Sequence, residues 1–117
     1  MIEVKISETR ITVDGHAGYA DSGKDIICAA VSILTQNLIK SIEDLTNDSI
    51  SYSMVSGHVD IKYKNLSERG RLLVDSFFIG ICGIANTYGE KYVQIESSAG
   101  RAKNRKRKRG YYEVHEC

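Results

Sequence analysis

Apolar residues recur every three or four positions from Ile27 to Leu45, which is the repeat of one face of an α-helix. Asp25 suits the N-cap of this helix, with Ser22 as an alternative start, and Thr46-Asn47-Asp48 ends it. A helix with a single apolar face needs another layer to cover that face. The rest of the chain therefore has to supply that layer.

Alternation of apolar and polar residues predicts five strands for the covering layer. They cover Ile2–Ile6, Ile11–Val13, Ile50–Met54, Val59–Tyr63 and Tyr92–Ile95. A polar turn joins the first two strands, and Ser56-Gly57 joins the next two. Both short connections predict antiparallel hairpins.

A second helix follows the second hairpin, with Ser67 as its cap and a broad apolar stripe that Asn86 to Gly89 breaks. Gly80 and Gly83 weaken its helix propensity and favour close packing on a neighbour. The predicted order is ββαββαβ. This order predicts an α/β fold of the α+β type, with a mostly antiparallel or mixed sheet and two helices packed on it.

Size and composition predict one domain whose cysteines are reduced. The 117 residues are 42% apolar, which suffices for a single core. The alternating first residues are unlike a signal peptide, and no unbroken apolar run approaches the ~20 residues of a membrane span. Three cysteines at wide spacings indicate neither a disulfide framework nor a metal site. We therefore expect a cytoplasmic protein with no cofactor.

The stretch from Gly15 to Ser32 carries the residues that could take part in catalysis. His16 follows the second strand, and Cys28 begins the long helix after a glycine-rich polar loop. The first turn of a helix favours a thiolate and offers backbone N–H groups to an oxyanion, and a histidine can transfer protons. The alternatives are a small core cysteine and a surface histidine. The pattern alone therefore leaves catalysis as one hypothesis.

The same stretch resembles a known protein family. It reads Gly15-His16-Ala17, then Gly23, then Asp25-Ile26-Ile27-Cys28-Ala29-Ala30-Val31-Ser32. This pattern is similar to that of the ribosomal-processing cysteine proteases of Firmicutes and related bacteria, known as Prp. The resemblance in layout covers residues 1–96, which we expect to form a single protease domain.

The resemblance implies a homodimeric cysteine endopeptidase. Carried over, Cys28 is the nucleophile and His16 is the general base and proton donor. Family members remove an N-terminal extension from ribosomal protein number twenty-seven of the large subunit, after a hydrophobic motif with paired phenylalanines. The loop between the dyad residues would close over the substrate, with hinges at Gly18 and Gly23. Two further positions match the pattern: Asp25, as helix cap or orienting group, and Ser32, which supports the site or merely packs.

Other reactive or apolar residues have simpler interpretations. His58 lies in the polar register of a strand beside a turn, which favours a solvated position over a catalytic one. Cys82 is expected in the core, and Cys117 is expected to be exposed. Phe77, Phe78 and Ile81 are expected in the core, with part of this stripe available to a dimer interface.

Residues 97–117 differ in charge from the body of the chain and form a predicted disordered tail. Residues 1–100 hold nine Lys/Arg and thirteen Asp/Glu, whereas residues 101–117 hold seven and two. A basic segment of this kind contacts ribosomal RNA or another polyanion, or is simply solvated. An alternative function follows, in which the chain is a noncatalytic ribosome- or RNA-associated protein that binds through the tail.

Overall fold

The fold has the predicted ββαββαβ order. We describe it from a computed structural model that covers residues 1–18 and 25–98. The strands are β1 (Ile2–Ile6), β2 (Arg10–Gly15), β3 (Ile50–Val55), β4 (His58–Tyr63) and β5 (Val93–Ser97). The helices are α1 (Ile26–Leu45) and α2 (Glu68–Tyr88).

The five strands form one mixed sheet in the order β3-β4-β2-β1-β5. Both predicted hairpins are antiparallel, and β2 also pairs with β4 in antiparallel register. The last strand lies parallel to β1, with Ile2 opposite Val93. The mixed sheet and the two helices confirm the predicted fold class.

The core lies between one face of the sheet and the two helices. Ile2, Val4 and Ile6 are buried on that face, whereas Glu3 and Lys5 are exposed on the other. This alternation is typical of a sheet with one covered and one solvated face. Between the helices, a Cβ atom at Gly80 would lie 3.0 Å from the nearest Leu34 methyl carbon, as the predicted close packing requires.

The ends of three elements refine the predicted boundaries. Asp25 and Ser67 are the N-caps of α1 and α2, as predicted. The second helix continues through the predicted break to Tyr88 and ends where Gly89 adopts a φ of +108°. The sheet includes Ser97, and the Ser98 N–H donates to the Ile6 carbonyl at 2.8 Å. The fold thus reaches two residues into the segment expected to be a tail, whose remainder lies outside the described residues.

The first helix is long and apolar enough to cross a membrane by length and composition alone. Its buried residues contact the core cluster, and polar residues such as Lys40 and Glu43 are exposed on its other side. The core helix of a globular domain passes the same test of length and hydropathy. We therefore interpret α1 as a core helix.

One sheet edge is left uncovered by the helices. Tyr52 and Met54 of β3 lie opposite Ile61 and Val59 of β4, and hence on the core-facing side of the sheet. Their exposed fractions are nevertheless 47% and 40%, because β3 lies at the edge. The strand also carries no charged residue. An uncharged exposed edge of this kind is a surface on which another chain can pair.

Candidate active site

His16 follows directly after the end of β2. Gly15 ends the strand with a φ of +98°, and a Cβ atom there would lie 2.3 Å from the Met1 carbonyl oxygen, so the position needs glycine. The Gly15 N–H donates to the Gly57 carbonyl at 2.8 Å, which ties this strand end to the turn between β3 and β4. His16 itself is exposed, and its ring lies against Gly57.

Cys28 lies in the first turn of α1 and is half-buried. The Asp25 carboxylate oxygen Oδ1 accepts the N–H groups of Ile27 and Cys28, both at 3.0 Å. The Ala29 N–H donates to the Asp25 carbonyl at 3.1 Å. The sequence led us to expect N–H groups near Cys28 at an oxyanion. The first two of these groups instead bond to the capping side chain, and the third makes the first backbone hydrogen bond of the helix.

The Ala17 backbone joins the two halves of the site. Its N–H donates to the Cys28 Sγ at 3.2 Å, and its side chain is only 4% exposed. The residue next to His16 therefore contacts the cysteine sulfur, although eleven positions separate it from Cys28. An N–H donor at this distance stabilises negative charge on sulfur more than it stabilises the neutral thiol. The fold thus brings together the two stretches that carry the predicted dyad.

A second histidine lies beside this site. The His58 Nδ1 atom forms a close contact with Asp14 Oδ1, and the two residues are opposite each other on β4 and β2. Their side chains remain 42% and 47% exposed. His58 is thus partly solvated, as expected, but its pairing with Asp14 was not predicted. Both residues lie in the polar registers of their strands, which would have indicated the pair had the pairing of β2 with β4 been known.

Comparison with known proteins identifies the family. The family model described as cysteine protease Prp matches residues 1–94. The chain belongs to the cysteine protease Prp family. The family assignment and the fold class agree with the resemblance drawn from the Gly15–Ser32 stretch.

Individual Prp relatives support the assignment. The chain is 27% identical over 85 residues to the ribosomal processing cysteine protease Prp of Staphylococcus aureus, an alignment that covers 70% of this chain and 80% of the relative. It is 38% identical over 63 residues to the Mycoplasma pneumoniae protein of the same name, which covers 47% and 63% of the two chains. The S. aureus Prp crystal structure with a covalently linked product peptide has a TM-score of 0.78 and 22% identity, covering 84% of this chain and all of that one.

Three further residues of the Prp-like pattern are Ser32, Gly18 and Gly23. Ser32 is exposed, and its hydroxyl accepts a hydrogen bond from Gln36 at 3.0 Å, one turn further from Cys28. Gly18 has a φ of +71°, and a Cβ atom added there would meet no atom within 4 Å; its role as a hinge stays a prediction. Gly23 and the rest of the predicted lid, residues 19–24, lie outside the described residues.

The remaining predicted residues have the following places. Cys82 is buried at 5% exposure, which confirms the core assignment, and Cys117 lies outside the described residues. Phe77, Phe78 and Ile81 are all buried within the chain, so this stripe offers little surface to a partner. Within residues 1–18 and 25–98, no three His, Cys, Asp or Glu side chains form a group that could hold a metal ion.

Proposed function

We propose that this Prp family member is a cysteine endopeptidase with a His16–Cys28 dyad. Its proposed substrate is ribosomal protein number twenty-seven of the large subunit, from which it removes the N-terminal extension. The observation that carries the dyad is the 3.2 Å hydrogen bond from the Ala17 N–H to the Cys28 Sγ, which places the residue after His16 against the sulfur. The names of the S. aureus and M. pneumoniae relatives support a ribosomal processing role. The choice of ribosomal protein number twenty-seven comes from the family resemblance of the Gly15–Ser32 stretch.

The proposed reaction has two stages. The Cys28 thiolate attacks the carbonyl carbon of the scissile peptide bond, and the charge passes to the carbonyl oxygen. When the tetrahedral intermediate collapses, the carbon–nitrogen bond breaks and the His16 imidazolium gives its proton to the leaving amine. A thioester to Cys28 remains. His16 then takes a proton from water as the water oxygen adds to the thioester carbon. The carbon–sulfur bond breaks, the carboxylic acid product leaves, and the Cys28 thiolate and the His16 imidazolium are restored.

A covalent intermediate of this kind has support from a relative. The S. aureus Prp was crystallised with a covalently linked product peptide, and another structure of it holds a substrate peptide. In this chain, the Ala17 N–H is the donor nearest to the sulfur among the hydrogen bonds described. It would stabilise the thiolate before attack and again when the thioester is hydrolysed.

The decisive experiment uses a peptide that spans the hydrophobic, phenylalanine-containing cleavage motif of the ribosomal protein. We expect the wild-type protein to cleave it under reducing conditions, and Cys28→Ala and His16→Ala each to abolish cleavage. Cys82→Ala is the matched control, since this second thiol is buried in the core away from the site. An intact peptide with wild-type protein would refute the substrate. Cleavage that persists in Cys28→Ala would refute the nucleophile.

We further propose that the protein acts in the cytoplasm as a homodimer that pairs through β3. The exposed Tyr52 and Met54 and the uncharged edge support this surface. We expect light scattering to give twice the 13.0 kDa chain mass, and Tyr52→Glu to reduce it to the monomer. Ile33→Glu, at an exposed apolar position on α1, is the control. A dimer that survives Tyr52→Glu would exclude β3 as the interface.

The basic segment supports a second, noncatalytic candidate. Seven Lys/Arg among residues 101–117 would attract ribosomal RNA whether or not the protein cleaves a peptide. The two candidate functions should be abolished by different changes to the chain. Loss of Cys28 removes proteolysis, whereas loss of the tail removes RNA binding.

A further inference from the structure

We infer that Gly57, in the turn between β3 and β4, sets the position of the His16 imidazole and is a positioning residue for the dyad. The inference rests on the proposed function, because Gly57 would act only through His16. A Cβ atom added to Gly57 would lie 2.9 Å from the imidazole Nε2, 3.5 Å from Cε1 and 3.7 Å from Cδ2. The ring is therefore too close to position 57 for any other residue to place its Cβ atom there without a shift.

The same turn holds the backbone on either side of His16. The Gly57 carbonyl accepts the Gly15 N–H at 2.8 Å, and the next residue, His58, contacts the Asp14 carboxylate. Together with the ring contact, these bonds join residues 14–16 to residues 57–58. The turn thus fixes both the backbone from which His16 projects and one side of the space that its ring occupies.

A side chain at position 57 would harm catalysis more than folding. Ordinary van der Waals contact begins near 3.4 Å, so the imidazole would have to retreat by about half an ångström. The ring is the end of a rotatable side chain, so it can move at little cost in stability. Catalysis is more sensitive, because a 1 Å misplacement of a reacting group can cost ~100-fold in rate. We expect kcat to fall by about tenfold or more with KM little changed.

The test compares Gly57→Ala with Gly89→Ala. Both glycines have positive φ, +76° and +108°, so alanine strains the backbone at either position, but a Cβ atom at Gly89 meets no atom within 4 Å. Gly57→Asn is a third variant, because asparagine tolerates positive φ while still introducing the Cβ atom. Two readouts are measured: kcat and KM across pH on the extension peptide, and the NMR signals of the His16 ring in labelled free protein. The His16 signals are assigned by their absence from His16→Ala.

The expected result is a loss of kcat, a displaced pH profile and shifted His16 ring signals in both Gly57 variants, with Gly89→Ala like the wild type. Gly57 variants that match Gly89→Ala in kcat and in the ring signals would overturn the inference. If the wild-type protein cleaves no peptide, the proposed function fails. The NMR signals of the His16 ring then serve as the only test of the positioning role of Gly57. Ring signals shifted only by the Gly57 variants would then support the positioning role, and unshifted signals would overturn it.

Discussion

Replacing Asp25 with alanine should destabilise the start of the helix that carries Cys28. The Asp25 Oδ1 accepts two backbone N–H groups, each at 3.0 Å, and alanine leaves both without this acceptor. Loss of an N-cap costs about 0.5–2 kcal/mol. Because two hydrogen bonds are lost, we expect the free energy of unfolding of this variant to fall by about 2 kcal/mol. For a domain of this size, that corresponds to a fall in Tm of roughly 8 °C.

Two variants separate the acceptor from the charge. Both hydrogen bonds use a single oxygen, which the asparagine side chain also provides, so Asp25→Asn should lie within about 0.5 kcal/mol of the wild type. Ser67→Ala is the matched control at the other helix. The Ser67 hydroxyl accepts one N–H, from Gly70 at 3.1 Å, and also donates to the Asp48 carboxylate at 2.8 Å. Ser67→Ala therefore also loses two hydrogen bonds, which should cost about 2 kcal/mol.

Urea denaturation followed by circular dichroism measures all three variants. Asp25→Ala and Ser67→Ala should destabilise the protein by similar amounts, and both by more than Asp25→Asn. If asparagine destabilised the protein as much as alanine, the carboxylate charge rather than the acceptor would hold this helix start. If Asp25→Ala cost less than about 0.5 kcal/mol, the argument from the two hydrogen bonds would be refuted.

Three further predictions concern pH, the core and the tail. Arg10 donates to both Asp60 carboxylate oxygens, at 2.9 and 2.6 Å, which holds the pKa of Asp60 below its ordinary value. This pair therefore stabilises the fold above the usual aspartate pKa of ~3.9 and loses its effect as pH falls through the lowered pKa. Tm measured from pH 6 to pH 2 should fall less steeply in Asp60→Asn than in the wild type or the exposed control Asp44→Asn. Ile61→Ala, at a fully buried position, should cost ~2–5 kcal/mol by urea denaturation, whereas Ile33→Ala, 63% exposed, should stay within about 0.5 kcal/mol; equal losses would contradict the assigned core. Deleting residues 101–117 should weaken binding to ribosomal precursors at low salt and leave peptide cleavage unchanged, and unchanged binding would exclude an RNA contact through the tail.

The fold could be predicted because the local patterns agree with the final packing. The apolar repeat of α1 and the alternation in β1 each mark a face that is buried in the structure. Alternation identifies a face but not a neighbour, so it could not show that β5 lies parallel to β1 or that β3 is an uncovered edge. The end of α2 was predicted too early because Asn86 and Thr87 have weak helix propensity, and tertiary packing outweighs it.

Local features of the candidate site could be predicted from the sequence, whereas its surroundings could not. Asp25 could be placed as a cap because capping is a local effect over three residues. The contact between His16 and Gly57 depends instead on the pairing of β2 with β4, more than forty residues apart in the chain. No local pattern encodes that pairing. The role of the turn as a wall of the site therefore emerges only from the fold.

The parallel pairing of β1 with β5 also orders events during synthesis. Ile2 pairs with Val93, so β1 leaves the ribosome well before its partner β5. At ~5–20 residues per second, roughly 5–20 s separate their emergence. His16, Cys28 and Gly57 are synthesised during that interval, while the edge of β1 that will pair with β5 is still open. The residues of the proposed site are thus synthesised before β5, which completes the described sheet without contributing any of them.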